Sequence, residues 1–328
     1  MAWTLYKSTD ASAPVLTGQT GSLITLLDAV LVNGYGSQPA AGWTKAYSGT
    51  SKAAYRNGSA SISRTYWRVQ DDGPGSQTFK EARTRLYSTM SDVDTGTLPT
   101  PTVAQSTPGI VVRKSNTADA TARAWFILAD DKTAIICITP GDTASGYTDM
   151  VSPVYVGDPY AYLSADAQGA VLCGRVAEAM TTMADVNGIG CSNIYGNGSV
   201  VLGYIAGSYS GVAGSMAVYG SWPALAHAHI SSSSSVSYPN EADGAVYVCG
   251  PLLVWTNVSS VYTLRGHLRG LASFPHLRSA VNAWDTVTGA GDLSGHSYIL
   301  NAVGAPNSTV AVYHHVLAFE TTAPAYST

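Results

Sequence analysis

Paired histidines are the residues whose spacing most readily suggests chemistry in this sequence. His227 and His229 are separated by one residue, so in a β-strand their imidazoles would share a face, as two metal ligands can. His314 and His315 are adjacent and would point to opposite faces, which suits a single metal ion poorly. No cysteine or acidic cluster accompanies either pair, so we interpret them as surface or interface histidines and predict no bound metal.

Two acidic pairs could supply a general acid and a general base. Asp71-Asp72 and Asp130-Asp131 both lie in predicted turns, where aspartate hydrogen bonds to nearby backbone, and we favour that turn role. Residues 91–96 (Ser-Asp-Val-Asp-Thr-Gly) alternate oxygen ligands as a calcium loop does. They lack the terminal acidic residue of an EF-hand, so no calcium site is predicted there.

Nucleophilic catalysis and phosphate binding have no complete motif. Residues 207–211 (Gly-Ser-Tyr-Ser-Gly) do not have the spacing of a nucleophile elbow, and residues 196–198 lack the third glycine and the lysine of a phosphate loop. The net charge is −4 and there is no run of lysine or arginine, so the sequence offers no positively charged groove for the DNA backbone. We predict no catalytic residue, no cofactor and no sequence-specific nucleic-acid partner.

The remaining candidate residues are arginines, tyrosines and tryptophans, which are better suited to contacts with other molecules than to catalysis. Arg265, Arg269 and Arg278 form a positive cluster that suits a carboxylate on another subunit. Tyrosines that alternate with glycine suit subunit interfaces, and the candidates are Tyr195, Tyr204, Tyr209 and Tyr219. Exposed tryptophans on a β scaffold can stack on sugars, and the candidates for glycan binding are Trp222, Trp255 and Trp284.

The composition indicates which elements must position these residues. Charged residues make up 12% of the chain, whereas about 25% is usual, so much of the surface is uncharged or is covered by other chains. The 20 tyrosines favour half-buried strands and the 33 glycines favour turns between them. The sequence therefore predicts a mainly β fold.

Two segments carry the clearest local patterns. Residues 22–33 predict a helix, because Leu23, Leu27, Val30 and Leu31 share one face and Gly34 follows the end. Residues 122–139 predict a hairpin around the turn at 130–132. Both of its arms are almost wholly apolar, so we expect each face of this hairpin to be covered.

The remaining segments are mostly predicted as strands. Strands are expected within residues 42–47, 52–56, 61–70, 245–255, 298–303 and 310–319, the last two forming a closing hairpin. The alanine-rich residues 165–187 predict a short helix. Residues 188–222 fit either a run of short strands or an extended arm. The four cysteines are expected to be buried free thiols, no signal peptide is expected, and no apolar stretch approaches the ~18 residues of a membrane span.

This order of elements predicts two β-sandwich- or barrel-like domains with one short N-terminal helix. The first domain would cover residues 1–160 and contain the helix at 22–33. The second would cover residues 161–328 and contain a Gly/Tyr/Ser-rich segment at 188–235.

Several of these segments together resemble a group of virion structural proteins from tailed bacteriophages. The resemblance is sharpest within residues 20–60, which include Asn33-Gly34-Tyr35-Gly36 and Ala41-Gly42-Trp43-Thr44-Lys45. It continues in pieces, at residues 91–97, 130–131, 156–160 and 263–271. The resemblance implies a component of the particle and brings no catalytic residues with it.

Composition and resemblance together favour a non-enzymatic virion subunit. It would assemble in the cytoplasm of the bacterial host as a repeated part of the tail, collar or head surface, with copies of itself and other virion proteins as partners. The main alternative is an appendage that binds a receptor or glycan on the host surface, and a more distant one is a polysaccharide depolymerase.

Overall fold

The computed structural model of the protein describes the chain in segments. They are residues 2–59, 61, 63–73, 80–141, 153–163, 166, 169–174, 201–208, 210–221, 241–258, 260–274, 284–290, 293–303 and 315–322. In these segments an α-helix, α1 (Ser22–Leu27), continues into a π-helical turn (Asp28–Asn33).

Strands account for most of the regular structure, which confirms the mainly β fold. Those of the first half are β1 (Thr4–Lys7), β2 (Thr44–Gly49), β3 (Lys52–Arg56), β4 (Tyr66–Gln70), β5 (Glu81–Tyr87), β6 (Thr89–Asp92), β7 (Thr95–Thr97), β8 (Ile110–Arg113), β9 (Ala124–Ala129), β10 (Thr133–Thr139), β11 (Val154–Gly157) and β12 (Tyr160–Ala161). Those of the second half are β13 (Val171–Cys173), β14 (Val201–Ala206), β15 (Ser215–Ser221), β16 (Cys249–Val258), β17 (Val261–Phe274), β18 (Thr286–Thr288), β19 (Ser297–Val303) and β20 (His315–Glu320).

The predicted helix at 22–33 is confirmed, and its form changes from α to π at Asp28. Leu23, Leu27, Val30 and Leu31 are all buried, as their spacing requires. The π-helical turn begins at Asp28, whose two carboxylate oxygens accept hydrogen bonds from Lys45 and Tyr55, each at 2.8 Å. Gly34 ends it with φ 76°, a left-handed conformation that favours glycine.

The hairpin β9–β10 is covered on both faces, as its apolar arms predict. The two strands pair in antiparallel register, with Ile136 opposite Ile127 and Ile135 opposite Leu128. Alternate residues point to opposite faces of a strand. Ile127 and Ile136 therefore belong to one buried core, and Leu128 and Ile135 belong to a second one.

The first core lies between two sheets. A five-stranded antiparallel sheet, in the order β2-β3-β4-β5-β8, contributes Tyr55 and Trp67 to it, and α1 contributes Leu23 and Leu27. The other wall is the outer face of β9, β10, β11, β13 and β14. Burying both sheets on one core gives the sandwich-like arrangement.

The second core lies inside the curl of the large sheet. Within the described segments that sheet has thirteen strands, in the order β1-β9-β10-β11-β13-β14-β15-β16-β17-β20-β19-β18, with β12 paired to β17. Its distant strands β9 and β20 meet where Phe126 packs edge-on against Phe319, with ring centroids 5.3 Å apart. The Trp3 indole also donates to the Glu320 carbonyl at 2.8 Å. The sheet therefore wraps around its own apolar inner face.

The described residues in the central part of the chain bear on two predictions, whose other residues at 175–200 lie outside the described segments. Val171–Cys173 is a strand, where residues 165–187 predict a short helix, because it pairs with both β11 and β14 and is buried throughout. Within 188–222, the described residues form the short strands β14 and β15 rather than an extended arm. Cys137 and Cys173 are buried free thiols as predicted.

The division into two domains at residue 160 stays a prediction. The large sheet contains strands from both sides of that position, since β11 pairs with β13 and β12 pairs with β17.

Burial on both faces of β10 can be tested by truncating two adjacent residues. Ile135→Ala and Ile136→Ala remove side chains from different cores, so each is expected to lower the free energy of unfolding by about 2–5 kcal/mol in urea titrations. Val15→Ala, at a residue that is 61% exposed, should change it by less than about 0.5 kcal/mol. A near-neutral result for either isoleucine would contradict the two-core arrangement.

Candidate interaction surface

The end of the β16–β17 hairpin carries exposed apolar side chains. Val261 and Tyr262 are each 64% exposed and Leu264 is 50% exposed. In the register of the hairpin, Trp255 lies opposite Leu264 and Asn257 lies opposite Tyr262, so these four share one face. We call residues 255–264 the hairpin end.

Part of the hairpin end extends an apolar and aromatic row across three strands. Tyr219 of β15 lies opposite Trp255 of β16, which lies opposite Leu264 of β17. Tyr219 and Trp255 are half-buried. On the opposite face Thr256 points inward, since it is 1% exposed. The row brings together a residue predicted for subunit contact and one predicted for glycan binding.

The hairpin end is also free of charge. No Asp, Glu, Lys or Arg occurs between Asp243 and Arg265 in the sequence. Exposed strand edges of natural proteins are usually protected by charged side chains, because an unguarded edge pairs with other chains. A charge-free edge with exposed apolar residues is therefore typical of a contact surface.

The backbone of β17 is open at the same place. Its pairing with β20 covers Leu271–Phe274 and its pairing with β12 covers Gly266 and His267. The pairing of β12 with β17 ends with a hydrogen bond at 3.1 Å from the Tyr162 N–H to the Arg265 carbonyl. Among the residues that the structure describes, no strand pairs with residues 261–264 on the side away from β16.

The base of the hairpin is held rigidly by a buried ion pair. Arg265 is 2% exposed, its Nε and Nη2 both donate to the Asp166 carboxylate, and its Nη1 donates to the Gly207 carbonyl at 3.2 Å. Next to it, Gly266 has φ 157°, and a Cβ there would meet the Tyr160 carbonyl. Only glycine lets β12 approach β17 so closely.

His267 adds an aromatic stack to this base. Its ring lies on Tyr160 with centroids 4.8 Å apart, and its Nδ1 is 3.2 Å from the Tyr162 hydroxyl. Burial, helped by the charge of Arg269, lowers the pKa of His267 to about 4. The imidazole is therefore neutral at neutral pH.

Arg269 joins β17 to the turn of the β9–β10 hairpin. Its Nη2 is 2.8 Å from Asp130 Oδ2, and its Nη1 donates to Thr133 Oγ1 at 3.1 Å. Burial, the largest single influence, lowers the pKa of Arg269, but the Asp130 carboxylate together with Tyr155 and Asp158 raises it on balance. Asp130 Oδ1 also accepts the Lys132 and Thr133 N–H groups at 2.9 Å, which confirms its turn role.

The structure thus supplies the carboxylates expected near the arginine cluster from within the same chain. Asp166 pairs with Arg265 and Asp130 pairs with Arg269. Arg278 lies outside the described residues. A contact of this cluster with another subunit stays a prediction, and the two described guanidinium groups already have intramolecular carboxylates.

Asp71 corrects the turn role predicted for the first acidic pair. Its carboxylate is buried, accepts the Leu23 N–H at 2.9 Å in the first turn of α1, and forms a buried ion pair with Lys114. Burial raises the pKa of Asp71 and lowers that of Lys114, and each opposite charge counters the shift. The pair fixes the helix to the five-stranded sheet.

The residues considered as a calcium loop form a small hairpin instead. Strands β6 and β7 pair there, and the Asp94 carboxylate lies between Lys52 at 3.0 Å and Arg68 at 2.5 Å. Hydrogen bonds from these two side chains lower the Asp94 pKa. Two cations of the chain therefore neutralise this carboxylate.

The other candidate residues are scattered. Tyr204 is 5% exposed and its hydroxyl donates to the Gln105 carbonyl at 3.3 Å. Trp284 is partly buried and packs edge-on against Phe126, with ring centroids 5.7 Å apart. Candidates outside the described residues are Tyr195, Tyr209, Trp222, His227, His229 and His314. No group of metal-ligating residues forms in the described part of the chain.

Sequence reasoning missed Val261, Tyr262 and Leu264. The signal that could have found them is the charge-free run between Asp243 and Arg265. This run includes the whole strand predicted at 245–255 and the residues that follow it.

Comparison of the chain with protein-family models and with curated proteins finds no match. In the described segments, no helix has the length and apolar character needed to cross a membrane.

The Arg269–Asp130 pair predicts a large loss of stability when the cation is removed. Arg269→Met leaves a buried carboxylate without its cation, so urea titration should show a loss of about 3–5 kcal/mol in the free energy of unfolding. Lys52→Met, at the more exposed pair with Asp94, should cost less than about 1 kcal/mol. Adding Asp130→Asn to Arg269→Met should recover part of the loss. Equal losses of stability in the two single variants would contradict a stabilising role for the buried Arg269–Asp130 pair.

The neutral His267 predicts a dependence of stability on pH. Between pH 6.5, its ordinary pKa, and about pH 4, the unfolded chain binds a proton at this residue that the folded chain does not. Stability is therefore lost as pH falls through this window. His267→Gln should remove about 2–3 kcal/mol of that loss, measured by urea titration of both proteins across the window. Parallel pH profiles for the two proteins would refute the assignment.

Proposed function

We propose that this protein is a non-enzymatic structural subunit of a tailed-bacteriophage particle. It assembles in the host cytoplasm with copies of itself and other virion proteins, as a repeated part of the tail, collar or head surface. The observation that carries the proposal is the charge-free hairpin end, on which Val261, Tyr262 and Leu264 are exposed.

A surface of this kind serves an assembled protein better than a free one. Val261, Tyr262 and Leu264 expose apolar area beside an open strand edge. In a monomer such an edge promotes aggregation, and natural proteins guard it with charge. In a particle the same edge is buried against a neighbour, so no guard is required.

The charged residues support the proposal by their placement inside the chain. Asp71–Lys114, Asp166–Arg265 and Glu81–Arg83 are ion pairs between buried or nearly buried side chains. The first two join residues far apart in the sequence. These charged residues stabilise contacts within the chain. A rigid chain suits a subunit that must present one surface in a fixed orientation.

A glycan-binding appendage is the second candidate, favoured by the aromatic members of the surface row. Tyr219, Trp255 and the exposed Tyr262 offer rings on one side of the sheet, and aromatic faces can stack on sugars. Adsorption of the purified protein to host cells that Trp255→Ala abolishes would favour this candidate over a scaffold.

The proposed function predicts that the chain is a stoichiometric part of purified particles. Mass spectrometry of gradient-purified virions should detect it in many copies, and a labelled antibody should mark one defined location on every particle. The control is a lysate fraction without particles, in which the protein should be depleted. Absence of the protein from purified virions would contradict the proposal.

A further inference from the structure

We infer that two copies of this chain pair edge to edge through β17, with residues 261–264 of each copy antiparallel around a two-fold axis. The inference rests on the proposed role as a repeated subunit and specifies the contact. Its partner is a second copy, and its contact groups are the free backbone edge and the side chains beside it.

The backbone favours a strand as the partner. In an antiparallel pair, every second residue of an edge strand directs its N–H and C=O away from its neighbour. Residues 261–264 pair only with β16 in the described part of the chain. A strand of another chain can satisfy these groups, whereas a sugar or an apolar surface does not offer the repeating pattern of donors and acceptors.

The absence of charge favours a copy of the same chain. A two-fold axis places the residues nearest to it beside their own counterparts, so any charge there would face a like charge. The segment between Asp243 and Arg265 contains no charge of either sign. A partner of different sequence would be compatible with charge at this edge, and often selected by it.

Neighbouring side chains add apolar area to the same contact. Tyr162 is 48% exposed and Leu163 is 49% exposed, and both follow β12 where the chain leaves the edge of β17. A strand added next to residues 261–264 would lie beside them. The Asp166–Arg265 pair fixes this boundary and keeps the edge in place without adding an exposed charge.

Opposite charges at the centre of the contact test the pairing directly. A two-fold axis between antiparallel strands passes between a residue and its own counterpart, and we place Tyr262 there, so Tyr262→Lys sets two lysines beside each other and Tyr262→Glu two glutamates. Sedimentation velocity should show self-association of the unaltered protein and a dissociation constant raised at least about ten-fold in each variant. An equimolar mixture of the two variants should associate again, because the charges are then opposite.

Matched controls separate this contact from general effects of charge. Val103→Lys and Val103→Glu change a residue that is 59% exposed elsewhere on the surface, and both should associate as the unaltered protein does. Circular dichroism should show that every variant is folded. Urea titration should give the Tyr262 variants the stability of the unaltered monomer, because Tyr262 is mostly exposed.

The outcomes distinguish the contact from the function. A monomeric unaltered protein, or variants that associate normally, would overturn the edge-to-edge pairing. Variants that lose association without recovering it in the mixture would overturn the two-fold arrangement. None of these results bears on whether the chain is present in virions, which particle composition decides separately.

Discussion

Burial of the β9–β10 hairpin on both faces is the constraint on which the other parts of the structure depend. One face of this hairpin packs on the five-stranded sheet and the helical segment, and the other fills the curl of the large sheet. Neither core can form without the same two strands. Each buried aliphatic side chain contributes about 1.5–3 kcal/mol of transfer free energy. The hairpin therefore couples the stability of the first core to that of the second.

The buried ion pairs extend this coupling to the rest of the chain. Arg269 reaches back across 139 residues to the turn that closes the β9–β10 hairpin, and Arg265 reaches back across 99 residues to Asp166. Both arginines lie at the root of the β16–β17 hairpin. The exposed hairpin end is therefore the tip of an element whose base is anchored in the second core.

Local features of the fold could be predicted from the sequence, whereas its long-range contacts could not. The helix at 22–33 and the hairpin at 124–139 follow from periodicity and turn residues that lie within one segment. The partners of Asp71, Arg265 and Arg269 are set by how distant strands pair, and no local pattern encodes that pairing. The strand at Val171–Cys173 was missed for the same reason, since its neighbours in the sheet outweigh the helix propensity of an alanine-rich segment. For the hairpin end, the sequence predicted a strand only as far as Trp255, and it predicted neither β17 nor its open edge.

Amide hydrogen exchange measured at several protein concentrations tests the central claim most directly, namely that a rigid scaffold presents the edge of β17 for assembly. We expect exchange in residues 261–264 to slow as concentration rises, because association covers that edge. Exchange in β9 and β10 should be slow at every concentration, since it requires global unfolding. Exchange in residues 261–264 that does not change with concentration, while the protein associates, would contradict the account.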